Sequence, residues 1–208
     1  MKKNTYEKQI LLSFIGDVYC KTADGNQTTR EALQLLNQYN APVALLSKGG
    51  KKMLRDLDVF KDFGDRIMVG TTLTFLDEKK SKAWEPGATL PEERLFGLNE
   101  LHRAGIKTVA SFELSIEPSQ SLKLIERTLK DDSVDHYKIG KINNFGSYGN
   151  DFDWSAYLIQ VLKLLRPAKK QVYVKRSLRK FAPNVELFDD ETDCERWVVR
   201  ANMPLLAE

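Results

Sequence analysis

Cysteine and histidine are scarce in this chain, which has two of each among 208 residues. Cys20 and Cys194 lie far apart and belong to no CxxC or other clustered spacing, so the sequence offers no set of thiolates for zinc or an iron–sulfur cluster. Nor does so distant a pair make a disulfide framework. His102 is expected on an exposed helix face and His136 is isolated, so neither indicates a metal site or a Ser-His-Asp set.

Long apolar runs are absent as well. No run reaches the ~18 residues that a membrane helix needs, and the basic start MKKNTYEKQ is not followed by the apolar core of a signal peptide. We therefore expect a cytoplasmic protein with no membrane partner. Its 32 basic and 29 acidic residues leave a net charge of +3, which is too small to indicate nucleic-acid binding by itself.

Apolar strand-like runs alternate with helical patterns at intervals of about 30 residues, which is typical of βαβ units with a parallel sheet. The pattern predicts one α/β domain over residues 1–181, its sheet either open or curved into part of a barrel. Residues 182–208 are acidic and then aromatic, and we expect either a loosely packed extension or a final strand. The predicted strands cover residues 9–18, 42–47, 67–75, 107–116, 135–143 and 171–175.

The stretch from Ile67 to Arg94 carries the densest set of polar groups beside a buried run. A strand with alternating threonines ends there, a Glu-Pro-Gly turn follows at Glu85, and a new helix starts near Arg94. In parallel α/β sheets, ligands bind at the carboxyl ends of the strands. This stretch is therefore predicted to bring hydroxyls, a carboxylate and a guanidinium to a ligand crevice.

The order and spacing of nine segments resemble a known family. The segments are ILLSFIGDVY, TTREALQLL, PVALLSKGG, LRDLD, VGTTLTFLDEK, EPGATLPEERL, LHRAGIKT, SFEL and YKIGKIN. Together they are similar to the radical S-adenosylmethionine superfamily, in the branch that resembles spore photoproduct lyase and is described as DNA-repair-photolyase-like. The likeness runs from about Gln9 to about Asn143. It implies a partial (βα)6 barrel of the radical SAM type, missing here its first βα unit.

In that family the first unit carries a CxxxCxxC loop, whose thiolates hold a [4Fe–4S] cluster that binds S-adenosylmethionine. Cys20 does not replace this loop, because it is one thiol and lies beyond the strand that resembles the family's second strand. The resemblance thus implies S-adenosylmethionine as cofactor, with the cluster's ligands missing and no metal site in this chain. A separate amino-terminal fragment is a candidate partner that would supply the CxxxCxxC unit.

The resemblance also implies a cofactor-binding wall, while the catalytic residues stay unknown. Lys48 is expected to face the methionine carboxylate, and small hydroxyl residues are expected near the ribose. Glu85 and Arg94 are expected to pair or to organise the loop above the cofactor. The implied cofactor-binding residues are Ser13 and Asp17 near the methionine amino group, Lys48, Thr72 and Thr74 near the ribose, and Glu113, Lys138 and Asn143 in the same cavity.

Three functions follow as alternatives. The first is an enzyme of 5′-deoxyadenosyl radical chemistry, with hydrogen abstraction from a substrate that the name of the branch suggests to be nucleic acid. The second is a non-catalytic remnant that serves as a binding or interaction module. The third is an unrelated α/β barrel enzyme whose site is built from Lys48, Glu113 and Lys138. The basic run from Lys163 to Arg179 would suit nucleic acid, but a solvated helix face explains it more simply.

Overall fold

A sheet of six parallel strands, joined side by side in chain order, organises the structure, which is a computed structural model. It describes residues 9–12, 16–20, 23–142, 149 and 151–194. The strands are β1 (Ile10–Leu12), β2 (Val43–Leu46), β3 (Ile67–Thr72), β4 (Lys107–Ser115), β5 (His136–Lys141) and β6 (Gln171–Val174). The helices are α1 (Ala23–Gln38), α2 (Leu57–Phe63), α3 (Glu78–Trp84), α4 (Pro91–Arg103), α5 (Pro118–Lys130), α6 (Trp154–Leu165), α7 (Arg176–Arg179) and α8 (Asp189–Thr192).

Two apolar clusters attach helices to the sheet. One includes Val43 of β2, Ile67 of β3 and Phe60 of α2. The other includes Phe112 of β4 and Leu158 of α6. Successive side chains of a strand point to opposite faces, so the residues between these positions lie on the other face of the sheet. Thr72 of β3 and Lys138 of β5 lie on that second face.

The predicted order of alternating strands and helices is confirmed, and 171–175 does contain a sixth strand, β6. Helix α1 begins at Ala23. Thr29, within this helix, donates from Oγ1 to the carbonyl of Val18, 2.6 Å away, and so connects α1 to the segment after β1. Between β2 and β3 the chain forms a 3-10 helix, Gly50–Asp56, which is followed directly by α2.

The described part of the 182–208 extension packs on the domain. Ala182 is buried in the core, and Glu191 of α8 accepts two hydrogen bonds from Arg166, which follows α6. Within the described residues up to Cys194 this segment forms α8 and no strand. No helix in the described ranges combines the length and apolar character needed to cross a bilayer. The division at residue 181, the missing first βα unit and a cytoplasmic location stay predictions.

Candidate functional site

The carboxyl ends of β1 and β2 are joined by the side chain of Asp17. Its Oδ1 accepts hydrogen bonds from the Tyr19 amide at 2.8 Å and from Ser47 Oγ at 2.6 Å. Its Oδ2 accepts from the Lys48 amide at 2.6 Å. Both carboxylate oxygens are therefore engaged within the protein, and the side chain of Asp17 fixes the position of Lys48.

Two glycines allow the segment after Lys48 to pack closely on α4. Gly50 has φ +56°, and a Cβ there would lie 2.7 Å from Thr89 Oγ1 and 2.9 Å from the Glu93 carbonyl oxygen. A Cβ on Gly97 of α4 would lie 2.9 Å from the carbonyl of Gly50. Thr89 also binds the carbonyl of Lys48 through its amide and its hydroxyl, at 3.1 and 2.6 Å. The backbone of Lys48 is thus held from both sides.

Glu85 is the centre of a buried charge network. Its Oε1 lies 2.6 Å from Lys48 Nζ and its Oε2 lies 2.8 Å from Arg94 Nη1. Thr74 Oγ1 donates a hydrogen bond of 2.5 Å to Oε2. Burial alone would raise the pKa of Glu85, but the charges of Arg94 and Lys48 outweigh that cost and hold the pKa below its usual value. Glu85 therefore carries its negative charge at neutral pH.

Arg94 is the fixed cation of this network, because only 1% of its side chain is exposed. It donates from Nε to the carbonyl of Thr89 at 2.8 Å and from Nη1 to the carbonyl of Thr72 at 3.0 Å. The expected pair of Glu85 and Arg94 is thus in contact in the structure. Arg94 connects the end of β3, the turn before α4 and the buried carboxylate.

Lys48 is the more exposed cation of the network, with 30% of its side chain accessible to solvent. It borders a pocket of about 420 Å³, a size within the usual range for small-molecule sites. If an anion in this pocket drew the ammonium of Lys48 away, Glu85 would keep its bonds to Arg94 and Thr74. The arrangement can therefore bind a carboxylate without leaving a buried charge uncompensated. The pocket is lined by Asp17, Tyr19, Cys20, Lys48, Gly49, Lys52, Glu85, Pro86, Gly87, Ala88 and Thr89.

The structure divides the predicted site residues into two groups. Asp17, Lys48, Thr72, Thr74, Glu85 and Arg94 meet at the carboxyl ends of β1 to β3. Glu113 of β4 and Lys138 of β5 do not line the pocket beside Lys48. Ser13 and Asn143 lie outside the described residues.

Lys175 belongs to the basic run from Lys163 to Arg179, for which a solvated helix face was the simpler interpretation. It forms an ion pair with Glu113 of β4. Its position directly after a short apolar strand, which is also the position of Lys48 after β2, is the sequence signal for this placement. The roles of Tyr19 and Thr89 gave no such signal, because they depend on contacts between distant segments.

Solved structures resemble this chain, although its sequence matches no protein-family profile and no curated protein. The crystal structure of SuiB from Streptococcus suis bound to S-adenosylmethionine matches with a TM-score of 0.59 at 11% identity, over 86% of this chain and 42% of that chain. A mutant spore photoproduct lyase with bound AdoMet and dinucleoside spore photoproduct matches with a TM-score of 0.54 at 13% identity, over 88% of this chain and 48% of that one.

These matches show a radical S-adenosylmethionine type of fold like that of spore photoproduct lyase, as the resemblance predicted. The six parallel strands in chain order are the sheet of such a partial barrel. The chain spans less than half the length of either solved protein. At these identities the likeness extends to the fold alone.

The two cofactors that this fold implies fit the described residues differently. The pocket beside Lys48 offers an ammonium for a carboxylate and space for a small ligand. A [4Fe–4S] cluster finds no matching ligands, because both cysteines are exposed and far apart in sequence. Within the described part of the chain, no group of three His, Cys, Asp or Glu side chains is arranged to hold a metal ion.

Proposed function

We propose that this chain binds S-adenosylmethionine in the pocket at the carboxyl ends of β1 to β3. The observation that carries the proposal is the buried carboxylate of Glu85, which has a permanent cation in Arg94 and a replaceable one in Lys48. The methionine carboxylate takes the place of Glu85 on Lys48. A radical SAM type of fold supports the choice of this ligand among small carboxylates.

Within this proposal the predicted residues have different tasks. Lys48 binds the carboxylate directly, and Asp17 positions the Lys48 backbone because both of its oxygens are bound within the protein. Thr74 belongs to the support of Glu85, since its hydroxyl donates to that carboxylate. Thr72 does not line the pocket itself, but its side chain is partly exposed, so of the two threonines it is the one left for contact with the ribose.

In this proposal the chain has the residues that bind the cofactor of a radical enzyme, but it lacks the cluster that supplies the electron. With two cysteines in the sequence, the thiolates for a [4Fe–4S] cluster would have to come from another polypeptide segment. Radical chemistry is therefore proposed only for an assembly with such a partner. By itself the chain acts as a binding module for a nucleotide-like ligand, the alternative that the scarcity of cysteine favours.

Replacing Lys48 with methionine tests the ligand assignment. A hydrogen bond to a charged group contributes about 1.5–3 kcal/mol, so K48M is expected to weaken S-adenosylmethionine binding by roughly 10–100-fold. The fold should be retained, because Glu85 keeps Arg94 and Thr74 as partners. Isothermal titration calorimetry with S-adenosylmethionine measures the affinity, and a thermal melt of the free proteins checks the fold.

Lys123→Met is the matched control. Lys123 is exposed on α5 and does not line the pocket, so its loss removes the same charge without touching the site. Affinity equal to that of the wild type is expected for K123M. Equal weakening in both variants would mean that only net charge matters, and unchanged binding in K48M would remove Lys48 from the site.

Anaerobic reconstitution with iron and sulfide tests the expected lack of a cluster. We expect no stoichiometric iron and no absorbance band of a [4Fe–4S] cluster in the purified chain, because two distant cysteines do not provide its ligands. Ultraviolet–visible spectra and iron analysis give the answer. A peptide with a CxxxCxxC loop, reconstituted in parallel, shows that the procedure works.

A stoichiometric cluster on the chain alone would contradict this expectation and would assign ligands to Cys20, Cys194 or other side chains. The calorimetric result is independent of it, because S-adenosylmethionine is titrated without iron. Binding without a cluster supports the module described above. The absence of binding would reject the proposed function even if the fold is intact.

A further inference from the structure

A second group of charged residues lies on the other half of the sheet, and we call it the Lys138 cluster: Glu113, Lys138, Tyr173 and Lys175. The parallel register places Lys138 of β5 directly beside Tyr173 of β6. Side chains in register on neighbouring strands share a face of the sheet. Lys175 follows β6 and forms an ion pair with Glu113 of β4.

The ion pair crosses β5 at a glycine. A Cβ on Gly140 would lie 3.3 Å from Lys175 Cδ and 3.4 Å from Glu113 Cα, so the side chain of Lys175 passes over Gly140 to reach Glu113. Lys138 lies two residues earlier on the same strand and therefore on the same face. The ion pair of Glu113 and Lys175 therefore lies next to Lys138, on its side toward the carboxyl ends of the strands.

The charges of the cluster do not balance. Two ammonium groups face one carboxylate, which leaves a surplus of one positive charge, and Glu113 is already paired with Lys175. Lys138 is half-buried. Among the residues that the structure describes, its ammonium has no hydrogen-bond or ion-pair partner. Burial and then the charge of Lys175 lower the pKa of Lys138 below its usual value. A half-buried ammonium without its own anion is costly, and an anionic ligand would remove that cost.

We propose that Lys138, bordered by Tyr173 and Lys175, binds one anionic group, a carboxylate or a phosphate, of a small second ligand. The carboxyl ends of parallel strands are where α/β proteins bind their ligands, and Glu113 and Lys175 lie at that edge. The cluster belongs to β4, β5 and β6, and none of its members lines the pocket beside Lys48. The anion would therefore bind outside the pocket proposed for S-adenosylmethionine.

Proton linkage gives the subsite a specific signature. An anion stabilises the protonated amine, so binding raises the pKa of Lys138, and anion affinity falls as pH rises through that pKa. The other titratable groups near Lys138 are Glu113 of β4, Tyr173 of β6, Lys175 directly after β6, His136 of β5 and Cys194. Burial and the charge of Lys138 lower the pKa of His136 to about 3, so this histidine is neutral throughout the relevant range.

Trace acetylation of the full chain, read by mass spectrometry, measures the subsite without mutation. Inorganic phosphate and acetate are titrated separately at constant ionic strength, with chloride as the balancing anion. We expect at least one of them to slow the acetylation of Lys138 and to raise its apparent pKa, while exposed Lys123 on α5 reacts as before. A response to phosphate alone identifies a phosphate site, and a response to acetate identifies a carboxylate site.

Calorimetry with the protecting anion then uses variants. Lys138→Met is expected to weaken its binding at least about tenfold, whereas Lys138→Arg should retain most of it because the positive charge remains. Lys123→Met should bind the anion like the wild type. Equal effects of both anions on Lys138 and Lys123, or no effect of either anion on Lys138, would overturn the proposal.

Discussion

Replacing Arg94 with methionine is expected to lower the free energy of unfolding by about 3–5 kcal/mol, which is the usual cost of removing one partner from a buried ion pair. Arg94 is almost fully buried, and its loss leaves Glu85 with only Thr74 and the partly exposed Lys48. The carbonyls of Thr72 and Thr89 also lose the hydrogen bonds that Arg94 donates to them. Urea unfolding at neutral pH, followed by circular dichroism, measures the change.

Arg127→Met is the control for this experiment. Arg127 also forms ion pairs, with Asp131 and Glu92, but they lie at the surface, and exposed pairs contribute at most about 1 kcal/mol.

The double variant E85Q/R94M tests whether the uncompensated charge of Glu85 causes the loss of stability in R94M. It should recover part of the lost stability, because the uncompensated carboxylate is gone. If E85Q lowers the free energy of unfolding of R94M by as much as it lowers that of the wild type, the two residues do not interact.

Replacing Gly70 with alanine is expected to cost about 3 kcal/mol or more, at or beyond the upper end of the range for overpacked sites. Gly70 lies within β3 in register with Val109 of β4, and a Cβ there would lie only 1.7 Å from the Val109 carbonyl oxygen. The obstacle is backbone, so no side-chain movement relieves it. The two central strands would have to separate, and thermal unfolding measures the loss.

Gly16→Ala separates this clash from the general effect of replacing a glycine. A Cβ on Gly16 would meet no atom within 4 Å, and its φ does not lie in the left-handed region. A change close to zero is therefore expected for G16A. A melting temperature of G70A within error of the wild type would contradict the close approach of β3 and β4.

The sheet was predictable because buried parallel strands leave a local signal. Continuous apolar runs such as the one that begins at Ile67, each followed by a glycine or charged residue, mark the strands without any knowledge of contacts. The start of α1 was not predictable in this way. Thr29 is a good capping residue by type, but its hydroxyl binds the distant carbonyl of Val18 instead.

The residues of the candidate site were easier to predict than the contacts among them. Lys48 and Glu85 were selected through the family resemblance, and the structure adds that they touch each other. The assignment of Glu113 and Lys138 to the same cavity stays a prediction: neither lines the pocket beside Lys48, and Glu113 forms an ion pair with Lys175. The order of the strands in the sheet decides such groupings, because β3 and β4 separate Lys48, which follows β2, from Lys138 of β5.

A crystal structure of the wild-type chain with S-adenosylmethionine bound is the decisive test of the proposed ligand site. We expect the methionine carboxylate about 3 Å from Lys48 Nζ, a normal charge-assisted hydrogen bond. Glu85 should then remain bound to Arg94 and Thr74. A ligand whose carboxylate is bound elsewhere, with Lys48 still paired to Glu85, would disprove the proposed site.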